Sequence, residues 1–446
     1  MKPLRRFTLL LVVLCPLFTG AQPIETILKE RVDAGETPGI VVAFHQNGMT
    51  TFYHVGYADV ASQRLVDSKT LFEIGSITKT FTTIMIAQLA EEGKIKLKDP
   101  VQNFLPSGVT MPTRNGRSIT FEDLATASSG LPRMPNNMTP ADNENPYIDY
   151  TEDKLWAFLS GYTLTRDIGS QYEYSNLGMG LLGVLVARID GKTYRESVTK
   201  RILKPLRMNE TFMNTPGRKD KNAATGYSDG KPVKAWTWTD ASCIQGAGGL
   251  LSNAEDMMKY LLANLKPSTN SLGKAMINSH QPRLDIGRNN MKIALGWHTR
   301  NKIIWHNGGT GGFRTFAGYE PEKKMAVVVL TNSNLGADDI GFHLMDESIP
   351  LKQIKRPIPV AVELLQSYVG SYEITPQFKI EVTLENGQLF AQATNQPKFG
   401  IYAESDTRFF LRVVDATVDF VKGADGKIEK LVLYQNGQAM NGMRKP

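Results

Sequence analysis

Cysteine is nearly absent: the 446-residue chain has two, Cys15 and Cys243. Cys15 falls in a segment expected to be removed, which leaves Cys243 alone and excludes an internal disulfide. Stability must then come from an apolar core, which a chain of this length can bury. Cys243 has no basic or histidine neighbour, so it reads as a small buried apolar residue rather than a nucleophile. Excess charge is also scarce. The net charge is +7, and without Lys2, Arg5 and Arg6 of the leader it is +4. That is too little to argue for a nucleic-acid partner. The chain has 6 histidines, and His45, His54, His280, His298 and His343 show no metal-ligand spacing, so no metal is expected. Beyond the leader no segment is apolar enough to span a bilayer.

The leader itself is "MKPLRRFTLLLVVLCPLFTGAQ". A basic start, an apolar run from Phe7 to Phe18 and small residues at Thr19 and Ala21 predict a signal peptide over residues 1–21. Its apolar run is shorter than the ~20 residues a membrane helix needs. Cys15 follows Leu14 rather than a small residue, which disfavours a lipoprotein. The mature protein is therefore expected in the periplasm or outside the cell.

Apolar periodicity divides the rest. "GIVVAFHQNGMTTFYHVGYAD" reads as two strands around an Asn47-Gly48 turn. "SITKTFTTIMIAQLAEEGK" reads as an amphipathic helix over 76–92, with Phe81, Ile84, Met85 and Leu89 on one repeat and Gly93 as the stop. From about Asp99 to Asn214 helices and long loops dominate, including the apolar helix Asn176 to Asp190. A further helix, Asn253 to Leu265, is capped by Asn253. Strands return at "NKIIWHNGG", "FRTFAGYE" and "KKMAVVVLTNS". The expected architecture is mixed α/β: an antiparallel sheet closed by both ends of the domain, flanked by helices, with a mainly helical region inserted. This domain spans 22–349. "PLKQIKRPIPV" is a proline-rich linker over 350–360. Residues 361–446 alternate with turn signals and read as a small all-β domain, a barrel or a sandwich.

Ser-x-x-Lys occurs at Ser76/Lys79, Ser197/Lys200, Ser228/Lys231 and Ser271/Lys274, so the spacing alone says little. Context separates them. Ser197 lies in a polar helix, and Ser228 and Ser271 in polar loops. Ser76 follows a glycine at the entry of a largely buried helix, where backbone N–H groups and the helix dipole converge. A helix-capping serine with a solvated lysine remains the structural alternative. "QYEYSNLGMGLLG" places Tyr174 and Asn176 before an apolar helix. "IIWHNGGTGGF" ends a strand at His306 and continues with Asn307, Gly308 and Gly309, where glycines let another chain lie close. "GYSDG" at 226–230 fits Gly-x-Ser-x-Gly but has no buried strand before it and no apolar helix after it, so it reads as a polar loop. "GGTGGF" lacks the lysine and helix of a phosphate loop.

Taken in order, Ser76-Ile77-Thr78-Lys79, Tyr174-Ser175-Asn176 and His306-Asn307-Gly308 resemble the three motifs of the serine β-lactamase and penicillin-binding protein family. The branch they most resemble is that of the class C β-lactamases, with their D-Ala-D-Ala carboxypeptidase, D-aminopeptidase and esterase relatives. "DPVQNFLP", "ALGWH" and "GAGGLLSNAEDMMKYL" add to the likeness, which covers about Ile24 to Asn334. The third motif departs from the Lys-Thr-Gly usual in class C enzymes, and a histidine in its first place occurs among the family's peptidases and esterases. The resemblance implies a serine hydrolase that needs no cofactor and forms an acyl-enzyme on Ser76 with a small-molecule or peptide substrate: a D-amino-acid peptide, a β-lactam or a small ester. A non-catalytic cell-wall or penicillin-binding protein that kept the fold is the rival.

The residue types suit that chemistry. A serine alcohol needs a neighbour to take its proton. Lys79, one helical turn on, can do so only when neutral, so burial and nearby positive charge must lower its pKa. Tyr174 is the other candidate base, as a phenolate, and by resemblance it protonates the leaving group. The backbone N–H groups of Ser76 and Gly309 are expected to form the oxyanion hole, with Asn176 on the substrate's acyl amide. His306 is expected where a substrate carboxylate arrives, with a charge that changes near neutral pH.

Overall fold

A computed structural model describes residues 22–287 and 290–445. The expected signal peptide, with Cys15, lies outside these residues. The larger body is built on a nine-stranded antiparallel sheet. Its spatial order is Leu284–Asp285, Met291–Ile293, His298–Arg300, Ile303–Gly309, Arg314–Glu320, Met325–Thr331, Gly39–Gln46, Met49–Asp59 and Arg64–Leu65. The last long strand pairs with the first, Ile40 opposite Thr331 and Val42 opposite Val329. Both ends of the domain thus close one sheet, as the alternation in the sequence predicted.

Period two explains why "MAVVVL" is apolar without a break. Ala326, Val328 and Leu330 face one core with Val41 and Ala43. Val327 and Val329 face another, with Ile40, Val42, Ile27 and Ile340. Helix Ala254–Leu265 covers the first face; helices Ile24–Asp33 and Asp338–Met345 cover the second. Helices Phe121–Ala125, Glu152–Gly161, Asn176–Asp190 and Tyr194–Val198 form the inserted helical region.

Two local readings change. The helix at Thr78–Glu91 is not amphipathic: every residue from Thr78 to Leu89 is buried. Its threonines form bonds inside the protein instead of a wet face. Thr82 donates to the Gly246 carbonyl at 2.7 Å and Thr83 to that of Leu295 at 2.8 Å. Thr80 accepts from the Tyr260 hydroxyl at 2.7 Å. "GYSDG" is not a loop but a hairpin, Gly226–Ser228 against Lys231–Val233.

No helix or strand is assigned between Met345 and Val362. The smaller body is a closed eight-stranded barrel, its first strand, Gly370–Thr375, pairing with its last, Gln438–Arg444. Of the two forms left open, barrel and sandwich, the chain adopts the barrel. Tyr368, Phe409, Phe420 and Leu431 fill it. Arg412 ties the two bodies by donating to the carbonyls of Gly35 and Ala34 at 2.6 and 2.7 Å. Among the described residues no helix is long and apolar enough to cross a membrane.

Candidate active site

The sequence Phe72-Glu73-Ile74-Gly75-Ser76 runs from a short edge strand into a 3-10 turn, Gly75–Ile77, and then into the buried helix. Gly75 has φ +49°, a left-handed conformation that glycine adopts without strain. A Cβ there would stand 2.7 Å from the Gly309 nitrogen. One on Gly308 would stand 2.0 Å from the Ile74 carbonyl oxygen. The two glycines let strand Ile303–Gly309 lie directly against the Ser76 turn. Neither the turn nor the helix has a side-chain cap, so Ser76 is not a capping serine.

Lys79 is 1% exposed. Its Nζ lies 3.0 Å from Ser76 Oγ and donates to the Ala247 carbonyl at 2.7 Å. Burial holds its pKa well below the usual lysine value, and the Arg133 guanidinium pushes the same way. Among the described residues, only this Ser-x-x-Lys pair is joined by a side-chain hydrogen bond.

Ser175 fixes the second motif. Its hydroxyl accepts from Gly178 N at 2.9 Å, capping helix Asn176–Asp190, and donates to the Pro132 carbonyl at 2.7 Å. Tyr174 and Asn176 flank this cap and both line a cavity of about 470 Å³ that also contains Ser76. Lys79 Nζ lies 4.7 Å from the Tyr174 ring centre. Burial raises the Tyr174 pKa above its ordinary value, and an interaction with Ser76 only partly offsets this. Burial thus pushes both groups toward their uncharged forms, which works against Tyr174 as a phenolate, one of the two candidate bases. A larger cavity of about 940 Å³, near His280 and Lys302, contains none of these residues.

The third motif brings Asn307, Gly308 and Gly309 to the cavity, but not the His306 side chain. His306 is 2% exposed and stacks on His298, with ring centres 4.9 Å apart. Burial, His298 and Lys79 all hold its pKa well below the usual imidazole value. The expected carboxylate-receiving, titrating His306 is thus a neutral ring behind the wall. His306 shares a strand face with Ile304 and Gly308, the face toward Lys79 and Tyr174, and its ring packs against the Tyr174 ring with centres 6.2 Å apart. Asn307 Nδ2 donates to Asp338 Oδ2 at 2.5 Å, and burial raises Asp338 to about 6. Asn176 Nδ2 lies 3.5 Å from the Met134 sulfur.

Sequence reasoning missed several groups. Glu73 is buried behind the wall, accepts from Trp236 N at 2.8 Å and is raised to about 7 by burial, against the pull of the nearby Thr310 hydroxyl. Arg133, Arg314 and His298 line the cavity. So do Tyr147, Trp236 and Trp238, which pack ring on ring. The loop 112–150 supplies Arg133 and Tyr147 and the stretch 219–238 supplies the two tryptophans, which as bulky aromatics read from the sequence as core or cleft wall, with core favoured. Cys243 is buried, and its thiol is pushed up to about 12 by burial, as expected of an inert cysteine. Among the described residues no cluster of potential ligands could hold a metal ion.

Comparison with known proteins bears on both bodies. Residues 24–346 match the family model described as Beta-lactamase. Residues 355–444 match one described as a domain of unknown function (DUF3471). A beta-lactamase of Escherichia coli is 28% identical over 368 residues, covering 73% of this chain and 93% of that protein. Protein flp of Staphylococcus aureus is 28% identical over 325 residues, covering 70% of this chain and 63% of its own length. A crystal structure titled beta-lactamase/D-alanine carboxypeptidase, from Pseudomonas syringae, superposes with a TM-score of 0.63. It shares 22% identity and covers 73% of this chain and 98% of its own.

Proposed function

This chain belongs to the beta-lactamase family, and on that premise we propose that it is an exported serine hydrolase acting through an acyl-enzyme on Ser76. Its substrate is an amide or ester: a D-amino-acid peptide, a β-lactam or a small ester. The observation that carries the reading is Lys79, wholly buried, short of its ordinary charge and 3.0 Å from Ser76 Oγ. A neutral amine there takes the serine proton as Oγ attacks the carbonyl. The tetrahedral oxyanion forms between the N–H groups of Ser76 and Gly309, with Gly75 and Gly308 supporting the close approach. Tyr174, kept protonated by burial, gives its proton to the leaving group and regains one from Lys79. Water then repeats the sequence on the acyl-enzyme. Asn176 and Asn307 hold the substrate on either side. His306 supports Tyr174 from behind, with ring centres 6.2 Å apart.

The test is covalent labelling with a fluorophosphonate or fluorescent penicillin, alongside turnover of nitrocefin, a D-Ala-D-Ala peptide, a D-amino-acid amide and p-nitrophenyl butyrate. Labelling and turnover are expected in the mature protein and lost in Ser76→Ala. Labelling without turnover of any substrate would favour the non-catalytic, penicillin-binding reading.

A further inference from the structure

We infer that Arg133 recognises a negatively charged group on the acyl side of the substrate, so that the preferred substrates are amides or esters of an acid carrying a second carboxylate. This rests on the serine-hydrolase reading above and names its substrate class.

The cavity wall sets the charge. Its ionisable side chains are Arg133, Arg314, His298, Tyr147 and Tyr174, and among the described residues no aspartate or glutamate lines it. The histidines supply no cation: His306 is behind the wall, and burial takes His298 down to about 4. The two arginines differ. Arg314 is committed to the protein, donating to the carbonyls of Thr310 and Phe313 at 2.9 and 3.0 Å, with the Asp338 carboxylate acting on it. Arg133 is exposed, and among the described residues its guanidinium makes no hydrogen bond or ion pair. What holds it is the face of Tyr174, 5.0 Å from guanidinium carbon to ring centre. Stacking of this kind orients the planar fork while its N–H donors stay free, which suits a carboxylate.

Position decides which end of the substrate it reads. The Arg133 carbonyl accepts from Asn176 N at 3.0 Å, so Arg133 and Asn176 are held together in the cavity wall. Gly309, Thr310 and Arg314 line it from strand Ile303–Gly309 and the segment after it. With the oxyanion at Gly309 and the acyl amide at Asn176, the acyl group extends toward Arg133 and the Tyr147 ring. A solvated arginine resting on a tyrosine, with no substrate contact, is the plain alternative.

Two rigid esters separate the readings in the mature full-length chain: mono-p-nitrophenyl terephthalate, with an anionic acyl group, and neutral p-nitrophenyl 4-methylbenzoate. The wild type should favour the anionic ester by about tenfold or more in kcat/KM, mostly through KM. Arg133→Gln should reduce that ratio by about tenfold, whatever happens to the absolute rates, and Arg133→Lys should restore part of it. Because the Arg133 side chain is exposed, these variants are expected to fold. A Ser76-dependent turnover whose ratio is unchanged by Arg133→Gln overturns this inference alone. Turnover of neither ester by a protein that still labels at Ser76 also overturns this inference alone, whereas absence of labelling, or turnover that survives Ser76→Ala, overturns the hydrolase reading and this inference with it.

Discussion

The two bodies treat polarity in their interiors in opposite ways. The barrel's buried interior is apolar apart from tyrosine hydroxyls, each matched to a carbonyl: Tyr368 donates to that of Asp406 at 2.7 Å and Tyr372 to that of Tyr368 at 2.8 Å. Among the described residues, the buried polar and charged side chains all lie at or before Ser333. Some of these are paired in the ordinary way, as Arg201 is with Asp190 and Glu92. Others are not: Lys79, Glu73 and His306 are buried with their charge suppressed. Burying an ionisable group without a counter-charge costs free energy that folding alone gives no reason to spend. Where such groups gather around one cavity, function is the better explanation, and the barrel shows what a core without that demand looks like.

The sharpest way to break this contrast is Lys79→Met. If Lys79 is kept for chemistry, the variant should lose activity by about a thousandfold or more. Its free energy of unfolding in urea should change by no more than about 1 kcal/mol, because an apolar side chain of similar length suits the site better than an amine does. The Ala247 carbonyl loses its donor, which is why no large gain is expected. A large loss of stability together with activity would make Lys79 a structural residue and erase the contrast.

The barrel offers the converse. Phe420 is fully enclosed, its ring centre 4.2 Å from that of Tyr368 and 5.5 Å from that of Phe409. Phe420→Ala should cost about 3–5 kcal/mol in the unfolding of the barrel. Labelling of Ser76 in the folded protein should keep its wild-type rate. A tenfold slower labelling would mean that the barrel shapes the catalytic cavity.

What the sequence could tell follows the same line. The sheet and the small all-β domain, though not its closure into a barrel, were readable because alternation is local: Val327 and Val329 go one way, Val328 and Leu330 the other. Ser76 and Lys79 were readable because one helical turn brings them together. The burial of His306 was not readable because its packing against Tyr174 and, across the neighbouring strand, His298 exists only in the folded chain. The helix after Ser76 read as amphipathic, and its complete burial was not legible because Gly246, Leu295 and Tyr260, the partners of its threonines, lie far along the chain. Arg133 and Glu73 belong to no motif, and only the folded chain brings them to Tyr174 and Trp236.

Glu73 gives the smallest and most quantitative test. Burial raises it from 4.5 to about 7, so between those values the folded state holds a proton that the unfolded state has released. Folding is then favoured at low pH, and this contribution is lost as pH rises from about 4.5 through about 7, levelling off above. The two values differ by about 2.5 pKa units, which corresponds to ~3 kcal/mol. Glu73→Gln still offers an oxygen to Trp236 N but cannot titrate. Between pH 5 and pH 8 the wild type should lose most of that amount relative to the variant, ~2–3 kcal/mol, measured by urea unfolding. Parallel curves for the two proteins would mean that Glu73 is ionised in the fold. The suppressed charges around the cavity would then be Lys79 and the stacked pair His306 and His298, next to Tyr174 and Ser76, and the contrast with the barrel would narrow to the groups around the reacting atoms.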